Sequence, residues 1–377
     1  MDEGNTRRSS AILYRSNAQS RVLEEALIRA QIPYRIYGGQ RFYERLEIRN
    51  ALAYMRLLIR RSDDTALERV LNLPPRGIGN KTVEQLRDLA RTRQVPLWQA
   101  IVIAQDEQLF SSRALKALSG FRALVDELDS STLELPLEEL TEHVVARSGL
   151  VEYHRAEKGE RGQARVENLE ELVSAAKTFV PDDTDSPTLQ QFLDSAALDA
   201  GDAQADPHED SVQLMTLHSA KGLEFPLVFL AGMEENLFPH RMSLDEPGRL
   251  EEERRLCYVG ITRAMEKLVL TYAESRRLHG SESYNIASRF VRELPSELLN
   301  EVRLGAAVSR PLSSLSPTPS AAHIDSGVSL GQRVMHQVFG EGVVTNFEGG
   351  GSNARVEVSF AEGSKWLVLQ YANLQPL

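Results

Sequence analysis

The feature that most narrows the fold is an order of elements. Short apolar strands stand near both ends of the first 272 residues, and an almost wholly helical pattern runs between them, from Arg45 to about Ala200. Residues 10–13 read as a buried strand and residues 19–30 as a helix with Val22, Leu23, Ala26 and Leu27 on one face. Pro33 stops that helix, and residues 34–37 form a strand closed by Gly38 and Gly39. Helical periodicity then covers residues 47–60, 64–71, 82–93, 112–127, 136–148, 165–179 and 188–200. Acidic loops follow at 181–187 and 201–210, and strand-helix-strand alternation returns over 212–272. Strands that alternate with helices build parallel sheets. The chain therefore predicts an α/β parallel-sheet domain, residues 1–35 and 208–305, interrupted by an all-α insertion, residues 36–207.

Residues 306–326 are rich in Ser, Pro and Ala without periodicity, which predicts a flexible linker. Beyond it, residues 355–360 (RVEVSF) alternate polar and apolar at the period of a strand, and Gly331, Gly340, Gly342 and Gly349 to Gly351 mark turns. Residues 327–377 thus predict a small SH3- or Tudor-like β-barrel. Its expected core is Val334, Val338, Val343, Val356, Val358, Phe360, Trp366 and Val368.

Composition excludes several classes. No run of 18 apolar residues exists, so no membrane span is expected, and MDEGNTRRSS lacks the apolar stretch of a signal peptide. The single cysteine, Cys257, permits no internal disulfide and suits a reducing cytoplasm; its apolar neighbours predict a buried packing role. The net charge of −11 conceals an asymmetry. Residues 1–100 hold 18 Lys/Arg against 11 Asp/Glu, whereas the remainder holds 25 against 43. Local charge governs phosphate binding, so the basic N-terminal region is a candidate nucleic-acid surface, or simply a solvated basic helical face. H-E-x-x-H, C-x-x-C and G-x-S-x-G are all absent, so metal and nucleophilic catalysis have no support.

Three segments carry the chemistry. Residues 215–225 (MTLHSAKGLEF) leave a buried strand for a polar loop. Residues 251–264 (EEERRLCYVGITRA) form a charged helix ending near Arg263, followed by a strand at 267–272. In open α/β sheets ligands gather beyond the carboxyl ends of such strands. Residues 11–21 (AILYRSNAQSR) follow the first strand. Together these resemble motifs V, VI and IV of the UvrD/PcrA/Rep family of ATP-dependent DNA helicases. Residues 34–48 (YRIYGGQRFYERLEI) resemble the start of that family's inserted domain.

The resemblance implies a RecA-like second motor domain and a role for each matched residue. Arg263 is the expected arginine finger. Glu224 is expected against the nucleotide sugar, with Gly222 beside it, and Lys221 has a phosphate role. His218 and Asn17 are expected near single-stranded DNA. Arg15 reads equally as a DNA-phosphate contact or a structural cation, and Glu252 to Arg255 mostly as an exposed ion-pair set. ATP and Mg²⁺ are the implied cofactors. No G-x-x-x-x-G-K-[ST] occurs, so the loop that cradles phosphates is lacking. The family carries it, with the Mg²⁺ ligands, on its first RecA-like domain, so the chain looks like a C-terminal half.

Residues 75–82 (PRGIGNKT) precede an amphipathic helix. Two glycines spaced G-h-G between helices let backbone N–H groups approach a phosphate, and the next helix adds its dipole. Gly77, Ile78 and Gly79, flanked by Arg76 and Lys81, therefore predict a helix-hairpin-helix grip on duplex DNA. The expected function is the C-terminal part of a 3′-to-5′ ATP-dependent DNA helicase acting in DNA repair in the cytoplasm, on single strands and single-strand/duplex junctions. RNA polymerase and mismatch or excision repair proteins are expected partners of the barrel. The alternative is a truncated, non-catalytic DNA-binding module.

Overall fold

A computed structural model describes residues 6–157, 159–181, 186–201, 209–244, 248–278, 281–302, 332–348, 355–360, 363–368, 372 and 374–376. The expected linker at 306–326, Gly331 and Gly349 to Gly351 lie outside these. The chain divides into two compact units, residues 1–219 with 277–281 and residues 220–276 with 282–377.

In the first unit, strands β1 (Ser10–Tyr14), β2 (Tyr34–Ile36) and β3 (Val212–Thr216) pair in parallel in the order β2-β3-β1. Helix α1 (Ser20–Arg29) links β1 to β2. Leu23, Leu27 and Ile28 pack on the sheet side against Tyr14, Tyr34, Ile36 and Leu214. The expected apolar face is only half right: Val22 is 50% exposed, while Arg21 and Glu24 are buried. Ion pairs described below satisfy those two charges, which is the condition for burying them.

Nine helices then follow among the described residues: α2 (Leu46–Ile59), α3 (Asp64–Val70), α4 (Asn80–Arg93), α5 (Leu97–Asp106), α6 (Ser112–Thr132), α7 (Leu137–Arg147), α8 (Leu150–Arg155), α9 (Glu160–Thr178) and α10 (Thr188–Gly201). The periodic runs in the sequence coincide with seven of these. α5 and the six-residue α8 lie outside the predicted runs. α2 is the hub of the bundle, packing against α3, α6, α7, α9 and α10. It buries Ile48, Ala51, Leu52, Met55 and Leu57, and also Glu47 and Asn50. A helix buried nearly all round is a core helix rather than a surface one.

In the second unit β4 (Phe225–Ala231) and β5 (Ala264–Thr271) pair in parallel, joined through α11 (Arg249–Ile261). Strands β6 (Ser275–Leu278) and β7 (Ser281–Tyr284) pair with each other, and α12 (Arg289–Arg292) follows. A separate antiparallel sheet comprises β8 (Arg333–His336), β9 (Gly340–Glu348), β10 (Arg355–Phe360) and β11 (Gly363–Val368), with the two-residue β12 (Gln375–Pro376) at its edge. Alternation in β10 buries Val356, Val358 and Phe360 against Val334 and Val344. Two expected core residues are instead exposed. Val338 lies between β8 and β9 and is 78% exposed. Trp366 lies opposite Glu357, and Leu367 opposite Val356. Neighbouring residues of a strand face opposite ways, so Leu367 takes the core side and Trp366 does not.

Candidate functional site

The first constellation forms around Arg263. α11 ends at Ile261, and Arg263 occupies the turn into β5. Its Nε donates to the Val259 carbonyl at 3.0 Å, one NH group to the Leu223 carbonyl at 2.9 Å, and the other to Thr262 Oγ1 at 3.0 Å. Its own carbonyl accepts from the Phe225 N–H at 2.9 Å. The guanidinium thus ties the end of α11 to the loop carrying Lys221, Gly222 and Glu224. A cation at a helix C-terminus is favoured by the unsatisfied carbonyls there. Gly222 turns the loop with φ +87°, a conformation that a side chain would strain. Lys221, Gly222 and Glu224 are exposed. Gly222, Glu224 and Arg263 are therefore brought together. The expectation of carboxyl-end placement fails for Glu224 and Arg263, which immediately precede β4 and β5 and so stand at their amino ends.

The second constellation follows β1 and β3. These strands are parallel neighbours, and the Leu217 N–H donates to the Tyr14 carbonyl at 2.9 Å. Arg15, Asn17 and His218 accordingly leave from adjacent carboxyl ends. His218 is exposed. The Arg15 side chain is only 14% exposed and lies 3.9 Å from the Glu160 carboxylate. The Asn17 carboxamide makes no hydrogen bond with any described residue, while its carbonyl accepts from Arg45 at 2.9 Å.

The third is the hairpin between α3 and α4. Asn72 Oδ1 accepts from the N–H groups of Arg76, at 2.8 Å, and Ile78, at 3.1 Å. Ile78 is 1% exposed and belongs to the core, so neither its side chain nor its N–H faces outward for a ligand. Arg76 also turns inward. Its guanidinium donates to the Tyr54 hydroxyl at 2.6 Å and to the carbonyls of Val70, Pro74 and Ser148 at 3.0–3.2 Å, between the rings of Tyr54 and Phe121. Burial pushes the Tyr54 hydroxyl up to about 12, against the pull of Arg76. Gly77 needs its φ of +81°. Gly79 does not have a positive φ, and a Cβ there would meet nothing within 4 Å. The N–H groups of Gly77, Gly79, Asn80 and Lys81 find no acceptor among the described residues, and the Lys81 side chain is exposed without an ion pair among them.

The model of the UvrD-like helicase C-terminal domain matches residues 1–275. The chain belongs to the UvrD-like helicase family. It is 56% identical over 377 residues to DNA helicase II of Escherichia coli (strain K12), covering 99% of this chain and 52% of that protein. To DNA helicase II of Haemophilus influenzae it is 52% identical over 370 residues, 97% of this chain and 51% of the relative. To the ATP-dependent DNA helicase PcrA of Bacillus subtilis it is 39% identical over 388 aligned positions, 97% of this chain and 52% of the relative. The chain spans about half the length of the curated relatives it matches.

Within this UvrD-like chain several buried acids escaped the sequence reading. Glu253 on α11 accepts from the His240 N–H at 3.1 Å and the Ser243 hydroxyl at 3.2 Å. Glu235 takes Arg289, and Glu234 takes the Ala273 N–H and the Asn285 amide at 2.8 Å each. Glu234 and Glu235 stand in a loop and Glu253 in the charged helical run read mostly as exposed ion pairs; charged residues in such settings look solvent-exposed in a sequence, and no local pattern marks these three as buried. The exposed ion pairs of α11 match expectation: Arg254 pairs with Glu251 and Glu293, and Arg255 with Glu252. Cys257 is buried, and burial pushes its thiol up to about 12, so it stays protonated and unreactive near neutrality.

Proposed function

We propose that this chain is the second motor half of a 3′-to-5′ ATP-dependent DNA helicase acting in DNA repair. In this reading residues 1–35 and 208–305 form a RecA-like domain, residues 36–207 a duplex-binding insertion, and residues 327–377 a Tudor-like barrel. The observation that carries it is the convergence of Gly222, Glu224 and Arg263 through the bond from Arg263 to the Leu223 carbonyl. A rigid guanidinium suits the charge that spreads over the γ-phosphate oxygens during phosphoryl transfer, and an exposed carboxylate suits a ribose hydroxyl. Placement at the amino ends of β4 and β5 suits a group offered to a nucleotide held by another domain. The family resemblance puts the Mg²⁺ ligands with the phosphate loop, and among the described residues no group of His, Cys, Asp and Glu could hold a metal ion. Bound ATP, reached by Arg263, draws the two motor domains together, and hydrolysis releases them. Single-stranded DNA runs over Asn17 and His218 and advances with each cycle.

A second reading, a non-catalytic DNA-binding module, is favoured for the isolated chain by the absence of G-x-x-x-x-G-K-[ST]. Both readings share the hairpin. Gly79 has no steric reason within the fold to lack a side chain, which fits a close approach by a DNA backbone. Lys81→Glu and Gly79→Ala are expected to leave the melting temperature unchanged and to weaken duplex binding. Lys81→Glu should also reduce the salt slope by about one counterion. Duplex titrations at several salt concentrations check this, and unchanged binding in both variants rules out the hairpin. The barrel is assigned a protein partner, RNA polymerase, alongside mismatch or excision repair proteins. Deleting residues 306–377 should abolish co-purification with polymerase; retained binding refutes that assignment.

A further inference from the structure

We propose that Arg45, together with Asn168, is a positioning residue for single-strand binding. Buried where the chain leaves the sheet for the helical bundle, it sets the turn at residues 15–19 in place without touching DNA. The inference rests on the reading of Asn17 as a single-strand contact and names what orients it.

Arg45 immediately precedes α2 and is 7% exposed. One of its NH groups donates to the Asn17 carbonyl and to Asn168 Oδ1, both at 2.9 Å. The other donates to the Ser20 hydroxyl at 2.5 Å, and Nε reaches the Gln40 carbonyl at 3.4 Å. Its nearest carboxylate, Glu24, is 3.9 Å away and also receives the Ser20 hydroxyl at 2.6 Å. All four of its closest acceptors are therefore neutral. A buried guanidinium arranged for charge alone would sit against carboxylates. This one is arranged as a fork whose planar donors fix several acceptors at once.

The acceptors identify what is fixed. Asn17 and Ser20 begin and end the short turn that follows β1. Asn168 lies on α9 and in turn donates to Glu47 on α2 at 2.6 Å. α9 also holds the residues that flank this turn on either side. The Ser16 hydroxyl donates to Glu167 at 2.5 Å, and Arg21 Nε to Glu171 at 2.7 Å. Glu160, Glu167, Asn168 and Glu171 recur at helical spacing and share one face of α9. Arg45 spends its bonds on the Asn17 backbone, and the Asn17 carboxamide stays unpaired among the described residues. A side chain meant to bind a ligand needs a backbone locked by its neighbours, which is what this arrangement supplies.

The test uses the 377-residue chain and a fluorescein-labelled oligothymidylate, with anisotropy read at low salt. Asn168→Ala and Arg45→Lys should each weaken single-strand affinity roughly tenfold, the scale of one lost charge-assisted bond. Amide hydrogen exchange should rise at residues 15–20 while protection around Leu57 and Phe121 is kept. In an Asn17→Ala background neither variant should weaken binding further. Should Arg45→Lys fail to fold, Asn168→Ala, which removes the acceptor of Arg45 and the amide donor to Glu47 while leaving Arg45 in place, decides the matter. Unchanged affinity in Asn168→Ala where Asn17→Ala weakens binding overturns the proposal. So does a loss of protection throughout the bundle, which would mark Arg45 as merely structural. No effect of Asn17→Ala itself overturns the reading of Asn17, and the proposal with it.

Discussion

Arg263→Ala, in a protein that joins this chain to a P-loop domain, should lower ATP turnover by roughly 10³–10⁵ while ATP binding persists. The expectation follows from where the guanidinium stands. Arg263 holds the Val259 and Leu223 carbonyls, and among the described residues no carboxylate pairs with it to neutralise its charge. Neutral carbonyls are weaker partners than a phosphoryl group carrying developing charge, and the guanidinium can move to the stronger one. Arg263→Lys keeps the charge but loses the fork, and should recover only part of the rate. Steady-state turnover with a parallel nucleotide-binding titration separates the effects. Lost binding with normal turnover at saturation would contradict the role.

Arg76→Ala should destabilise the helical bundle by about 2 kcal/mol, because it takes a donor from several part-buried acceptors rather than removing a surface charge. Four groups lose a donor together, the Tyr54 hydroxyl and the carbonyls of Val70, Pro74 and Ser148, although the Val70 carbonyl keeps the Leu73 N–H at 3.1 Å. The cation also leaves the rings of Tyr54 and Phe121. Arg76→Lys should fall between the two, since an ammonium cannot reach all four acceptors. Denaturant melts of residues 1–377 measure this directly. A change below about 0.5 kcal/mol would place Arg76 among ordinary surface cations and revive its reading as a DNA contact.

The contrast between Arg76 and Lys81 explains how much was legible in the sequence. Both flank the glycines and both are cations, and a sequence gives no sign that one turns inward. Periodicity located α2, α4, α6, α7 and α9, because burial of apolar stripes is a local signal. It misjudged α1, whose packed side includes Arg21 and Glu24, since partners such as Glu171 lie some 150 residues away in the chain. The same limit hid Arg45 and Asn168, 123 residues apart. Motif spacing brought Gly222, Glu224 and Arg263 to notice, and they meet. The rule of carboxyl-end ligands misplaced two of them, Glu224 and Arg263, which immediately precede β4 and β5. In the C-terminal antiparallel sheet, alternation named Val356, Val358 and Phe360 correctly and failed at Trp366, where strand register decides which of two neighbours is inside.

The central claim is that this chain carries an arginine finger and DNA contacts for a nucleotide held elsewhere. DNA-stimulated ATP turnover tests it most directly, measured for the 377-residue chain alone and for the same chain joined to the P-loop half of a DNA helicase II. The account predicts no turnover above background for the chain alone, and turnover in the joined protein that Arg263→Ala removes. Robust turnover by the chain alone, lost on Arg263→Ala, would contradict it.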